Sequence, residues 1–266
     1  MDLPTTIDEV LSALDKIIAD ASASNDRVGY FASLYFKVTA AVKTGIANGD
    51  FQDGPRMARL DVLFANRFLT ALDQWRNRRP PTRSWQIAFD ATKERSPLIL
   101  QHLLLGINAH INLDLGIAAV ETIRDQQIQA IHQDFDRINS IIGSLTSQVI
   151  TEIDQMSPLL SLLGLHANNT DSFLIQFSID NARDGAWCFA EQLSQTSGDA
   201  SEKCIRERDD DVATLAATLA KSSGLLKFTL GIVHLFEWKN PAKIISVLSN
   251  YKKTFIKAAT IRQKKN

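Results

Sequence analysis

Cysteine is nearly missing from this chain, with only Cys188 and Cys204 in 266 residues. Two thiols make no disulfide framework, and their spacing is not that of a zinc finger. The fold must therefore be held by its core, and a reducing compartment, the cytoplasm, is expected. Neither sign of charge dominates: 29 basic residues face 30 acidic ones. That balance leaves no whole-molecule field for nucleic acid, so no nucleic-acid partner is expected. Period-two alternation is absent, which removes the sheet classes, and no internal repeat is found. The glycine-rich phosphate loop, the GxSxG elbow and the HExxH helix are missing as well, and their chemistries go with them. The opening MDLPTTIDEVLSALDK carries acids where a secretory signal needs a basic region and a long apolar run.

What the chain does have is helical periodicity. Apolar residues make up 45% and charged residues 22%, an ordinary composition for a globular protein with a substantial core. Thr6 to Glu9 reads as a capping box opening an amphipathic helix with Ile7, Val10, Leu14 and Ile18 on one stripe. Asp26 can cap a second helix to about Asn48, closed by Gly49. A third begins near Pro55, with Leu60, Phe64, Phe68 and Leu72 in its stripe and Arg67 inside it. After the loop Arg78 to Arg83, a short helix carries Trp85, Ile87 and Phe89. Beyond residue 116 a long pattern runs to about Met156, Asp171 can cap a further helix, and three more are expected at roughly 203–222, 224–238 and 241–259. The expected fold is all-α: one domain over residues 1–266, about ten helices, arranged around one central helix.

That central helix is Ser96 to Val120, SPLILQHLLLGINAHINLDLGIAAV. Ser96 and Pro97 read as N-cap and first helical residue, giving a buried helix over about 97–115, with a break expected at Gly116. It is apolar on every side, so it is buried, in a membrane or at the centre of a helical protein. Gln101, His102, Asn108, His110, Asn112 and Asp114 argue against lipid, where each is costly, and these polar groups must then be satisfied inside the protein.

The spacing of those groups suggests chemistry. His110 and Asp114 are i,i+4 neighbours that can reach one point. With Arg67 they form the candidate catalytic group, in which histidine acts as general base and Asp114 or Arg67 orients it. Asn66, His102, Asn108, Asn112, Arg183 and Trp187 are candidate ligand-binding residues. His102 lies about 12 Å along the axis from His110, too far to share an ion. His132 and Asp136 repeat the HxxxD spacing, so that His110, Asp114, His132 and Asp136 on antiparallel helices form a candidate site for one divalent metal, zinc, iron or manganese. The Glu-x-x-His pairs of a di-iron bundle are absent. Arg67 inside an apolar stripe calls for an anion, from Asp61 or Asp114, with Asp114 favoured. Arg183 and Trp187 are i,i+4 and read as a packed stack or a cation–π ligand contact. Cys188, after Trp187, reads as an inert core thiol, His234 as a satisfied histidine on an apolar face, and His166 as a loop residue.

Several of these stretches together resemble an uncharacterised bacterial all-helical family, a domain of unknown function. They are Leu60 to Arg67, Trp85 with Phe89, Asn108-Ala-His-Ile-Asn-Leu-Asp-Leu115, Asp134-Phe135 with Asn139, and Arg183 with Ala186-Trp187. The resemblance spans roughly residues 28–240 and implies a compact helical domain with the Asn-Ala-His-Ile-x-x-Asp-Leu stretch at its centre and no established activity. Members often carry proline after Asp-Leu, where this chain has Gly116.

Three functions stay open: an enzyme acting on a small molecule in a pocket floored by the polar residues of the central helix, a binding protein for an apolar ligand, or an interaction protein. From Pro241 the chain carries seven basic residues and no acid, with Ile244, Ile245, Val247, Leu248, Tyr251, Phe255 and Ile256 as an apolar stripe. Residues 241–266 therefore read as a basic helix and tail, either docked on an anionic membrane or packed on the domain with its lysines solvated.

Overall fold

The computed structural model describes residues 2–123, 126–160, 179–220 and 224–250. Among these there is no strand, and the fold is all-α. The helices are α1 (Ile7–Ser24), α2 (Val28–Asn48), α3 (Gly54–Arg76), α4 (Arg83–Lys93), α5 (Ile99–Ala109), α6 (Leu115–Ile123), α7 (His132–Met156), α8 (Ile179–Ser194), α9 (Asp199–Ala220), α10 (Gly224–Phe236) and α11 (Pro241–Leu248). A π-helical turn, His110–Asp114, joins α5 to α6, and a 3-10 turn, Ile128–Ile131, leads into α7.

Helix α5, the π turn and α6 form one continuous rod, Ile99–Ile123. It alone among the described residues is long and apolar enough to cross a membrane, yet 83% of its most apolar window is buried inside the protein. Helices α2, α4 and α9 pack around its first half, and α3 and α8 around its second. The expected break at Gly116 does not occur, because the helix runs straight through it. A Cβ there would lie 2.5 Å from Cδ1 of Phe189 and 3.0 Å from the carbonyl of Ala186, so the glycine lets α8 approach. Gly106 does the same for Phe31, whose ring would meet a Cβ at 2.5 Å. The irregularity sits one turn earlier, where Leu115 N–H bonds back to the His110 carbonyl and one extra residue is accommodated.

Helix starts expose N–H groups that need acceptors. At α1 the local side chain of Thr6 accepts from Glu9 N–H at 3.2 Å, as its capping box predicts. Asp26 accepts from Val28 N–H at the start of α2 (3.0 Å) and Asp53 from Arg56 N–H in α3 (2.9 Å), and α3, α4 and α5 also draw on acceptors from far away. Asp134 accepts from the N–H groups of Gln52 (2.7 Å) and Asp53 (3.1 Å) at the start of α3. Asp209 accepts from those of Arg83 (2.6 Å) and Ser84 (3.0 Å) at the start of α4. Glu237 accepts from Ile99 N–H at 3.1 Å at the start of α5. Ser96 is therefore not the cap that its position before Pro97 predicts. A carboxylate at a helix N-terminus also meets the positive end of the dipole.

The pattern expected from residue 116 to Met156 is interrupted between α6 and α7, and the helix expected from Asp171 falls partly outside the described residues. Helix α11 ends at Leu248, and the rest of the expected 241–259 helix beyond residue 250 lies outside them too. Its Ile244, Ile245, Val247 and Leu248 are buried where α11 meets α1 and α2. That part of the apolar stripe is core and offers nothing to a membrane surface, while Lys243 lies over the Trp238 ring at 3.9 Å.

Candidate functional site

The π turn carries the site. Widening the helix by one residue turns His110 and Asp114 toward α2, α3 and α4 together. Asp114 is fully buried and holds three donors: Arg67 Nε on Oδ1 at 2.8 Å, Trp85 Nε1 on Oδ2 at 2.8 Å, and His110 Nδ1 facing Oδ2 at 3.4 Å. Burial by itself would raise the Asp114 carboxyl; the Arg67 charge and the bonds from His110 and Trp85 outweigh it and hold its pKa below the usual carboxylate value. Asp114 is thus an anion that selects the Nδ1–H tautomer of His110 and leaves the Nε2 lone pair outward.

His110 is enclosed by rings. Phe64 stacks on it with centroids 3.5 Å apart, and Tyr35 meets it edge-on at 4.4 Å. Burial depresses its pKa, with the neighbouring Asp114 opposing and Arg67 assisting, so the imidazole is neutral at physiological pH. Its Nε2 has no hydrogen-bond partner among the described residues. His110 forms part of the wall of a cavity of about 240 Å³ between α2, α3, α5 and α7. The wall is almost wholly apolar: Leu34 and Val38 from α2, Leu60 from α3, Leu103 and Ile107 from α5, and Ile142, Leu145 and Val149 from α7. Ile150 lines it too and is 53% exposed, so the wall meets solvent there.

Three further polar groups interrupt this wall. Asp61 is buried with Oδ2 unpartnered, and desolvation raises its pKa to about 7. The Tyr35 hydroxyl, beside the Thr39 side chain, is pushed well above its ordinary pKa by burial first and then by the charges of Asp61 and Asp114, with Thr39 opposing. Arg183 reaches the cavity from α8, while its Nη2 donates to the Phe135 carbonyl at 2.5 Å.

The chain is matched over residues 7–222 by the model of a family described as "Family of unknown function (DUF5995)". The chain belongs to that family. The matched span contains the π turn, Arg67, Trp85 and every residue of the cavity wall. No curated protein and no solved structure matches this family member.

Among the residues singled out in the sequence, Arg67, His110 and Asp114 are brought together, and His110 and Arg183 both line the cavity. The others go elsewhere. Asn112 Nδ2 donates to Asn108 Oδ1 at 2.8 Å, and Asn108 Nδ2 to the Val212 carbonyl at 2.9 Å, tying the rod to α9 rather than flooring the cavity. Asn66 donates to the Pro4 carbonyl at 2.9 Å and anchors the N-terminal segment. His102 faces a different cavity. Trp187 packs on Phe135 with centroids 5.1 Å apart, and Arg183 lies 4.7 Å over the same ring, so Phe135 stands where a direct Arg183–Trp187 stack was expected. The four-ligand metal set is not assembled. His110 and Asp114 are buried, His132 and Asp136 are 51% and 57% exposed in their side chains, and no three His, Cys, Asp or Glu side chains converge among the described residues. Cys188 is exposed rather than core, because Ala186, Phe189 and Ala190 take the inner face of α8.

Asp61 and Tyr35 were the residues that sequence reasoning left out of the site. Asp61 had a signal, an acid directly beside Leu60 in an apolar stripe. Tyr35 had none, since a tyrosine in a core stripe is ordinary.

Proposed function

We propose that this protein binds an apolar small molecule in the cavity between α2, α3, α5 and α7, with one polar end of the ligand bonded to His110. One observation carries this reading: a neutral, buried histidine presents an unpartnered Nε2 in the wall of an otherwise apolar cavity, while its Nδ1 faces Asp114. Buried polar atoms are normally satisfied, and a ligand hydroxyl or carboxylic acid supplies the missing donor. Apolar cavities of roughly 150 Å³ already stay dry and take up benzene, so about 240 Å³ has room for more than one ring.

A second reading is general-base catalysis at that polar end. What favours it is the order Arg67–Asp114–His110, a histidine oriented by a buried carboxylate, with Asp61 titrating near neutrality in the same wall. Here His110 Nε2 takes a proton from the ligand and Asp114 stabilises the imidazolium. We place the protein in the cytoplasm, on its two free thiols, Cys188 and Cys204, and its buried apolar rod.

The test is mass spectrometry of organic extracts from purified protein, together with uptake of the neutral fluorophore N-phenyl-1-naphthylamine. An apolar compound should co-purify, and Ile107→Trp, which fills the cavity, should abolish both signals while the helical circular dichroism stays unchanged. Protein that carries no such compound and takes up no fluorophore overturns the reading. His110→Gln separates the two readings: binding persists in both, and turnover of the co-purified compound is lost only if His110 is the base.

A further inference from the structure

The central rod has a second functional face. Leu100, Leu103, Leu104 and Ile107 look into the apolar cavity, whereas Ile99 and His102, one turn apart, look into a separate cavity of about 420 Å³. This second cavity lies where the α1–α2 turn, the α4–α5 connection and the α10–α11 connection meet. Its walls differ in kind from those of the first. Arg27, Arg95 and Lys239 line it, with Tyr30, His234 and Trp238.

His102 is the informative residue. It is 94% buried (6% exposed), yet neither Nδ1 nor Nε2 has a partner among the described residues. Tyr30 packs its ring edge-on at 5.7 Å and supplies no such bond. A neutral imidazole always carries one donor and one acceptor, and leaving both unmade in the interior is unfavourable. The carboxylate in the same wall is already engaged: Glu237 accepts from Ile99 N–H at 3.1 Å and from the Ser157 hydroxyl. Three cations thus surround an open space with one occupied carboxylate and two histidines whose ring nitrogens lack hydrogen bonds among the described residues, both nitrogens of His102 and Nδ1 of His234, while Lys239 also donates to the His234 carbonyl. Arg27 is fixed by donating Nη1 to the Thr92 carbonyl at 3.1 Å, so its guanidinium is pre-positioned.

We infer that this cavity is a second ligand site, for a small organic oxyanion, a carboxylate or a phosphate ester, held by Arg27, Arg95, Lys239 and an N–H of His102. The chemistry follows from the donors: guanidinium and ammonium groups recognise oxyanions through charge-assisted bonds, and the imidazole N–H adds direction from the buried side. A volume of about 420 Å³ exceeds what a bare ion fills, and Trp238 provides an apolar wall for the carbon part. The site shares no lining residue with the apolar cavity and does not depend on the reading proposed for it.

The test uses the full chain labelled with 13C-histidine, titrated separately with inorganic phosphate and with succinate at an ionic strength held constant by chloride. The chain has five histidines, so single His→Gln variants assign the resonances. The His102 resonance should shift saturably with at least one anion while that of His110 stays still. Arg95→Gln/Lys239→Gln, at two exposed rim positions that leave the core intact, should bind about tenfold more weakly or worse, because two charge-assisted donors are lost. Saturation by phosphate or by succinate alone tells which oxyanion the site takes. A His102 resonance unmoved by both, or an unchanged titration in the double variant, overturns the inference.

Discussion

Removing the carboxylate of Asp114 should be among the most damaging single changes in the protein, and its size can be worked from the donors left behind. In Asp114→Ala the Trp85 N–H is stranded in a fully buried position, which costs about 1–3 kcal/mol. His110 Nδ1 loses a longer contact of 3.4 Å and contributes less. Arg67 is 24% exposed in its side chain and already lies 3.9 Å from Glu121, so it turns to water and that carboxylate, and its share is about 1 kcal/mol. Together these predict about 2–4 kcal/mol of destabilisation, overlapping the range of about 3–5 kcal/mol for breaking a buried pair. The control is Asp136→Ala, an acid 57% exposed whose loss should stay within about 0.5 kcal/mol. Urea denaturation at neutral pH reads both, and a double-mutant cycle with the near-isosteric Trp85→Phe isolates the indole bond. The folded pKa of Asp114 lies below its ordinary 3.8, so its stabilisation is present above that value and disappears as pH falls through the lowered one. The gap between wild type and Asp114→Ala should therefore shrink in acid. Equal midpoints for Asp114→Ala and Asp136→Ala would refute the network as an energetic unit.

Asp61 predicts the opposite pH dependence. Its folded pKa of about 7 lies above the unfolded 3.8, so its stabilising effect is full below the unfolded value, declines as pH rises between the two and is lost above about 7, a penalty of up to about 4 kcal/mol. Asp61→Asn should gain stability over wild type between pH 5 and pH 8, and a pH-independent difference would show that the carboxylate is not desolvated. Two glycines should respond to the same substitution with opposite signs. Gly106→Ala drives a Cβ into Phe31 and should destabilise by about 1–3 kcal/mol, whereas Gly231→Ala in α10 meets nothing within 4 Å and should stabilise by about 0.5–1 kcal/mol. Thermal melts that move in the same direction for both would contradict the close packing of Phe31.

The helical architecture was legible because it rests on local information. Periodicity identifies α1, α2, α3 and the rod, and the apolar circumference of the rod marks it as buried. The Arg67–Asp114 pair was legible for a related reason, since a charge inside an apolar stripe must meet its opposite. What escaped the sequence was set by distant residues. The π turn has no glycine or proline to announce it; what pairs in space there is a histidine, an aspartate, a tryptophan and an arginine from three helices. The direction in which Asn108, Asn112 and His102 point depends on where α9 and α10 dock, which periodicity does not encode. His132 and Asp136 share the spacing of His110 and Asp114 and nothing else, because four residues on one helix define a face but not what lies opposite it.

The distant carboxylates at the starts of α3, α4 and α5 bear on how the protein comes into being. The donors and acceptors are separated by 82, 125 and 138 residues in the three cases. A chain emerging from the ribosome completes α3, α4 and α5 long before Asp209 and Glu237 have been synthesised, so α4 and α5 first form without these acceptors, and α5 then has only the local Gln101 side chain on its Leu98 N–H. Closing such long loops carries an entropic cost that the contacts of the finished structure must offset. A truncation before Glu237 would withdraw an acceptor at the head of the same helical rod that carries the π turn, so the C-terminal part of the chain and the site are coupled through one helix.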